Sequence, residues 1–115
     1  MRDRLHFQSL GRRGILRKRR AFEVVFDPEG LTMQEAGMSK KIPLTQTSLA
    51  LITYSDGQPH VVAVAGAGTF VEVSRRDVGA ENLSEASSFV QERAKLHGFR
   101  VRREDHHRPY VELGP

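Results

Sequence analysis

The chain turns on residues 21–73, AFEVVFDPEGLTMQEAGMSKKIPLTQTSLALITYSDGQPHVVAVAGAGTFVEV. This stretch reads as short β-strands separated by turns whose chemistry can be named. Residues 21–26 (AFEVVF) are rich in β-branched and aromatic side chains and have the length of a strand. Asp27, Pro28, Glu29 and Gly30 follow in the order that favours a type I turn. Residues 31–36 then put Leu31 and Met33 on one face and Thr32 and Gln34 on the other, which predicts a hairpin. Residues 37–41 read as a polar turn. The segment Ile42-Pro43-Leu44 belongs at an edge or bend, because Pro43 has no amide to donate.

Residues 48–54 (SLALITY) form a continuous apolar run bounded by turn residues, the clearest strand of the chain. Asp56-Gly57 marks a tight hairpin, whose two central positions require positive φ, and residues 60–65 (HVVAVA) supply the returning strand. Gly66-Ala67-Gly68 makes the next turn and residues 70–73 (FVEV) the next strand. Strands at this spacing predict an antiparallel meander that closes into a sandwich or barrel.

The period changes after Ser74. Arg75, Arg76 and Asp77 read as solvated, and residues 81–97 as one helix. Leu83, Ala86, Phe89, Val90, Ala94 and His97 recur at i+3 and i+4. Asn82 and Glu85 resemble a capping pair. Lys95 and His97 suit the negative end, and Gly98 is placed to stop the helix in the left-handed conformation. Residues 99–115 open on a short strand-like run, FRVRRE, and continue as a polar tail packed loosely on the body.

Ahead of the strands, the first twenty residues hold eight Lys and Arg against one Asp, a charge of +7. The other 95 residues hold ten basic and thirteen acidic groups, a charge of −3. Such asymmetry marks an interaction tail. Residues 1–20 are expected to form a basic extended arm, since Gly11 and Gly14 interrupt it and four consecutive cations repel in any compact form. The expected divisions are thus an arm over 1–20, a β-body over 21–98 and a tail over 99–115.

The chain has no cysteine, which excludes disulfides, thiolate metal sites and a cysteine nucleophile. No apolar run approaches the ~20 residues that span a bilayer. The basic start has no apolar segment behind it, so it does not read as a secretory signal, although its Arg-rich composition overlaps with organelle transit peptides. A cytoplasmic protein is the expectation, with a place at the membrane periphery as the alternative.

The order of strand, Asp27–Gly30 turn, strand, Ile42-Pro43-Leu44 element, two long strands joined by Asp56-Gly57, a further strand and a helix over 82–97 resembles bacterial pleckstrin-homology-like domains. The likeness covers about residues 21–98. Two departures stand out: Pro43-Leu44 replaces the tryptophan that many members carry, and the transmembrane helices that often precede the domain are missing here. The resemblance implies an α+β, mainly β fold: an antiparallel split barrel capped by one C-terminal amphipathic helix. The superfold hosts lipid, peptide and protein binders, so it does not choose a ligand.

The residues expected to contact an anionic partner are Arg12, Arg13, Arg17, Lys18, Arg19 and Arg20. Six cations would give a steep salt dependence on nucleic acid, and near an anionic bilayer each would contribute about 1 kcal/mol. Aromatic residues are too few beside them for base stacking. The competing reading is a solubilising tail. Adjacent histidines such as His106 and His107 point opposite ways on extended chain, and no known ligand spacing is present, so no metal or other cofactor is expected. Gly66-Ala67-Gly68 lacks a third glycine and precedes a strand, unlike a phosphate-cradling loop. No nucleophile elbow or acid–base pair can be assembled, so no enzyme is expected. The sequence points to a non-enzymatic binding or assembly module, its arm on an anionic surface and its body on a protein partner. An RNA- or ribosome-associated accessory protein and a peripheral subunit of a membrane-bound complex are the alternatives.

Overall fold

The computed structural model describes residues 4–10, 21–35, 37–105 and 108–112. Among the described residues, nine strands and two helices occur in the order β1 (Leu5–Leu10), β2 (Ala21–Asp27), β3 (Gly30–Glu35), β4 (Met38–Pro43), a 3-10 turn (Leu44–Gln46), β5 (Thr47–Ser55), β6 (Gln58–Gly66), β7 (Thr69–Ser74), α1 (Arg75–Val78), α2 (Ala80–His97), β8 (Arg100–Asp105) and β9 (Arg108–Glu112). The strands make two sheets. One is an antiparallel meander, β1-β2-β3-β4, and the other has the order β7-β6-β5-β8-β9. One apolar core lies between them, built from Phe22, Val24 and Phe26 of the first sheet, Ile52, Val62 and Val73 of the second, and Leu83, Ala86 and Phe89 of α2.

The turn chemistry holds in detail. Asp27 Oδ1 accepts from the backbone amides of Glu29 (2.9 Å) and Gly30 (3.1 Å), which closes the β2–β3 hairpin. Gly30 is required for a second reason: a Cβ there would overlap the Ile42 carbonyl oxygen and lie 2.9 Å from the Pro43 Cα, both backbone. Asp56 (φ 54°) and Gly57 (φ 76°) take the left-handed conformation expected of the β5–β6 turn. Leu83, Ala86, Phe89, Val90 and Ala94 of α2 are all buried. Gly98 ends the helix at φ 77°, its amide donating to the Ala94 carbonyl at 2.7 Å.

Four expectations need correction. The first twenty residues are not all arm: Leu5–Leu10 is an edge strand paired along its length with β2, and Leu5 and Phe7 are buried. The alternation of apolar Leu5 and Phe7 with polar His6 and Gln8 is the strand signal, and burying two large apolar groups outweighs repulsion from the cations around them. Residues 38–41 are strand rather than turn. Polar residues there are drawn into pairing by β3, and an edge strand carries lysines readily. Asn82 does not cap α2; it sits inside the helix and donates to the Val78 carbonyl (2.8 Å), while Ser74 caps the preceding turn through Asp77.

The largest difference is that α2 is not terminal. It crosses from β7 to β8, and β8 pairs parallel to β5 inside the second sheet. A parallel neighbour needs a crossover of a dozen or more residues, and an 18-residue helix supplies it. The region expected as a loose tail is thus built into the fold. Arg103 of β8 donates from Nε (3.1 Å) and a terminal amine to Gln91 Oε1, and Gln91 in turn donates to Ser87 Oγ (3.0 Å) on the same helix.

Two substitutions test this packing. Leu83→Ala, which removes a fully buried side chain, should cost about 2–5 kcal/mol by urea unfolding. Gly30→Ala should lower the melting temperature although it adds only a methyl group. An unchanged midpoint would contradict the close approach of β3 and β4.

Candidate functional site

The strand register places the residues on either side of the cation-rich segment. Leu10 pairs with Ala21, so the ends of β1 and β2 lie side by side, and the ten residues between them form a link closed at both ends. Arg12, Arg13, Arg17, Lys18, Arg19 and Arg20 fall in this link and lie outside the described residues. The arm expected from composition is therefore a tethered link between two paired strands. A ten-residue link anchored so tightly can carry its middle no further than about 17 Å from the anchors, five residues at ~3.3 Å each.

The same register brings a second feature to this end of the sheet. Phe22 pairs with Glu35, and Glu35 with Met38 across the β3–β4 turn. Met38 thus lies at the end that holds Leu10 and Ala21, three strand spacings or about 14 Å across. Met38 is 64% exposed. Beside it, Lys40 reaches across to β7, the edge of the other sheet: Nζ donates to the Phe70 carbonyl (3.4 Å) and lies 5.7 Å from the Phe70 ring centroid. Phe70 is itself 50% exposed. Met33, Glu35, Met38 and Lys40 enclose a shallow pocket of about 210 Å³, with the buried Met33 as its floor.

This corner joins one edge strand of each sheet, β4 and β7. Ile42 and Pro43 were expected at an edge or bend, and the strand that holds them, β4, occupies an edge position. The sequence did not point to the contact of Lys40 with Phe70, since they lie 30 residues apart and only the seam between the sheets unites them. Methionine and phenylalanine on an otherwise polar rim offer adaptable apolar surface, and Lys40 keeps a cation against it.

The described histidines do not converge. His6 meets Glu23 at 3.3 Å on the exposed face of the first sheet. His60 lies half-buried on β6 and His97 is exposed at the end of α2; His106 and His107 are outside the described residues. Among the described residues no group of three His, Asp or Glu could hold a metal ion. Ala67 and Gly68 form a left-handed turn straight into β7, so the glycine-rich motif is a hairpin turn. No described helix is long and apolar enough to cross a membrane.

No protein-family model matches the chain, and no curated protein matches it in sequence.

Because Met38 and Phe70 bury little, Met38→Ser and Phe70→Ser should each change folding stability by no more than about 0.5 kcal/mol in urea titration. A loss well above 1.5 kcal/mol at either position would make that side chain part of the core and remove it from the surface described here.

Proposed function

We propose that this chain is a non-enzymatic binding module whose cationic end rests on an anionic lipid surface while its body contacts a protein partner. The observation that carries the reading is the exposed Met38 at the sheet end that holds the anchors of a link with six cations, with Lys40 two residues on against the exposed Phe70 ring. A polybasic patch alone, or one apolar anchor alone, gives only marginal attachment to a bilayer; the two together give stable, reversible binding. Each cation near an anionic leaflet contributes about 1 kcal/mol, and an apolar side chain of this size adds up to about 1.5–3 kcal/mol when fully withdrawn from water. Nucleic acid would use the cations but leaves Met38 without a role, and Phe70 is the one exposed aromatic ring among the described large apolar side chains.

The antiparallel meander and the helix packed on the core support a pleckstrin-homology-like reading, while the parallel strand β8 beyond α2 departs from it; that fold is compatible with lipid or protein binding alike. A position at the cytoplasmic face of a membrane follows from the same proposal.

Co-sedimentation with vesicles tests it. The full chain should bind vesicles rich in phosphatidylserine, release as salt rises, and ignore phosphatidylcholine vesicles. Replacing Arg17, Lys18, Arg19 and Arg20 by serine should weaken binding by roughly a thousandfold at low salt, four cations at about 1 kcal/mol each. Phe70→Ser should weaken it further without altering the salt slope. Equal binding to both vesicle types would overturn the proposal. So would tighter binding to RNA that Met38→Ser and Phe70→Ser leave untouched.

A further inference from the structure

The strand most plainly written in the sequence, residues 48–54, is apolar without alternation, the pattern of a strand covered on both faces. Only one of its faces meets the core. Ala50 and Ile52 of β5, with Val62 and Val64 of β6, belong to the core. Leu49 and Leu51 turn the other way, as do Val61, Ala63 and Ala65 of β6. None of these five joins the core; four are half-buried, and Ala63 is 9% exposed. An antiparallel sheet with one face in water alternates apolar and polar residues. Here the outer face of β5 and β6 stays apolar instead.

The strand register frames that patch with opposite charges. From β7 across to β8 one row reads Glu72, Ala63, Leu51, Arg102, and the next reads Phe70, Ala65, Leu49, Arg100. Glu72, Arg100 and Arg102 are exposed.

We infer that this face pairs with the same face of a second copy of the chain. A two-fold axis running along the strands, between β5 and β6, sets Glu72 of each copy over Arg102 of the other. Leu51 then meets Ala63 of the second copy, large against small. An axis across the strands would oppose Glu72 to Glu72 and Arg102 to Arg102, so the charges select one arrangement. Stacked sheets lie about 10 Å apart and within about 30° of alignment, an offset that the long arginine side chains absorb. Arg102 also meets Glu104 on its own strand at 2.8 Å. A guanidinium has five N–H donors, enough to serve both carboxylates.

The four strands from β7 to β8 cover roughly 19 Å by 20 Å, at ~4.8 Å per strand and ~3.3 Å per residue over six residues. About 400 Å² per copy is half a standard interface, so the dimer is weak and exchanges readily. The inference rests on the reading of the body as a protein-contacting surface and names its partner. Phe70 lies on the rim of this face. Covering it removes one apolar group from the bilayer contact and leaves the link and Met38 in place.

Analytical ultracentrifugation of the full chain without lipid, from about 1 to about 500 μM, spans the range in which so small an interface dissociates. The mass should rise with concentration from 13.0 kDa toward twice that value. Leu51→Glu should weaken pairing about a hundredfold, since it buries two carboxylates without partners at the centre of the face. Glu72→Arg alone and Arg102→Glu alone should each weaken it about tenfold. An equimolar mixture of those two variants should recover the native affinity, because every rim contact then joins opposite charges. A purely structural role for either residue predicts no such rescue. A native chain that stays monomeric would overturn the inference. So would pairing that Leu51→Glu leaves intact, or a mixture without rescue. None of these measurements involves lipid, so the vesicle result stands or falls separately.

Discussion

Three phenylalanines hold the molecule in register. Phe26 of β2 meets the edge of Phe7 from β1 at 6.0 Å between ring centroids and the edge of Phe89 from α2 at 5.8 Å. Each such pair is worth roughly 0.5–1.5 kcal/mol beyond the area it buries. Geometry matters more here than that increment. The first contact fixes β1 on the sheet, and the second fixes the helix over the same strand. Arg93 lies 4.8 Å from the Phe89 ring centroid and so covers its remaining side. The anchors of the link are placed by this joint, because the link leaves the far end of β1.

The joint also separates charge. Six cations follow Leu10, whereas at the Leu5 end the exposed Arg4 lies beside Glu81, Glu85 and Glu92 of α2. At physiological ionic strength the screening length is about 8 Å, shorter than the ~17 Å length of the strand. The two ends therefore present separate fields to the solution, although the whole chain carries only +4.

Local chemistry made much of the fold legible. Asp27 through Gly30, Asp56-Gly57 and Gly98 each encode a backbone conformation within a few residues, and the structure adopts all three. The α2 stripe was equally readable, since its burial depends on one period. Pairings between distant segments were harder to read. Residues 100–105, RVRRED, carry charges at five of six positions, and their strand character comes from the parallel partner β5. Leu5 and Phe7 gave a short alternation that the arginines around them obscured. The Lys40–Phe70 contact was beyond sequence reading, because the seam between two sheets exists only once both are folded.

The account's central claim is that the end of the sheet holding Leu10, Ala21 and Met38 is the face that meets an anionic bilayer. Hydrogen–deuterium exchange of the full chain, with and without phosphatidylserine-rich vesicles, tests this most directly. Slowed exchange confined to the β1–β2 link, the β3–β4 turn and the start of β7, with α2 unchanged, is the predicted result. Protection spread along α2, or none at the link, would contradict it.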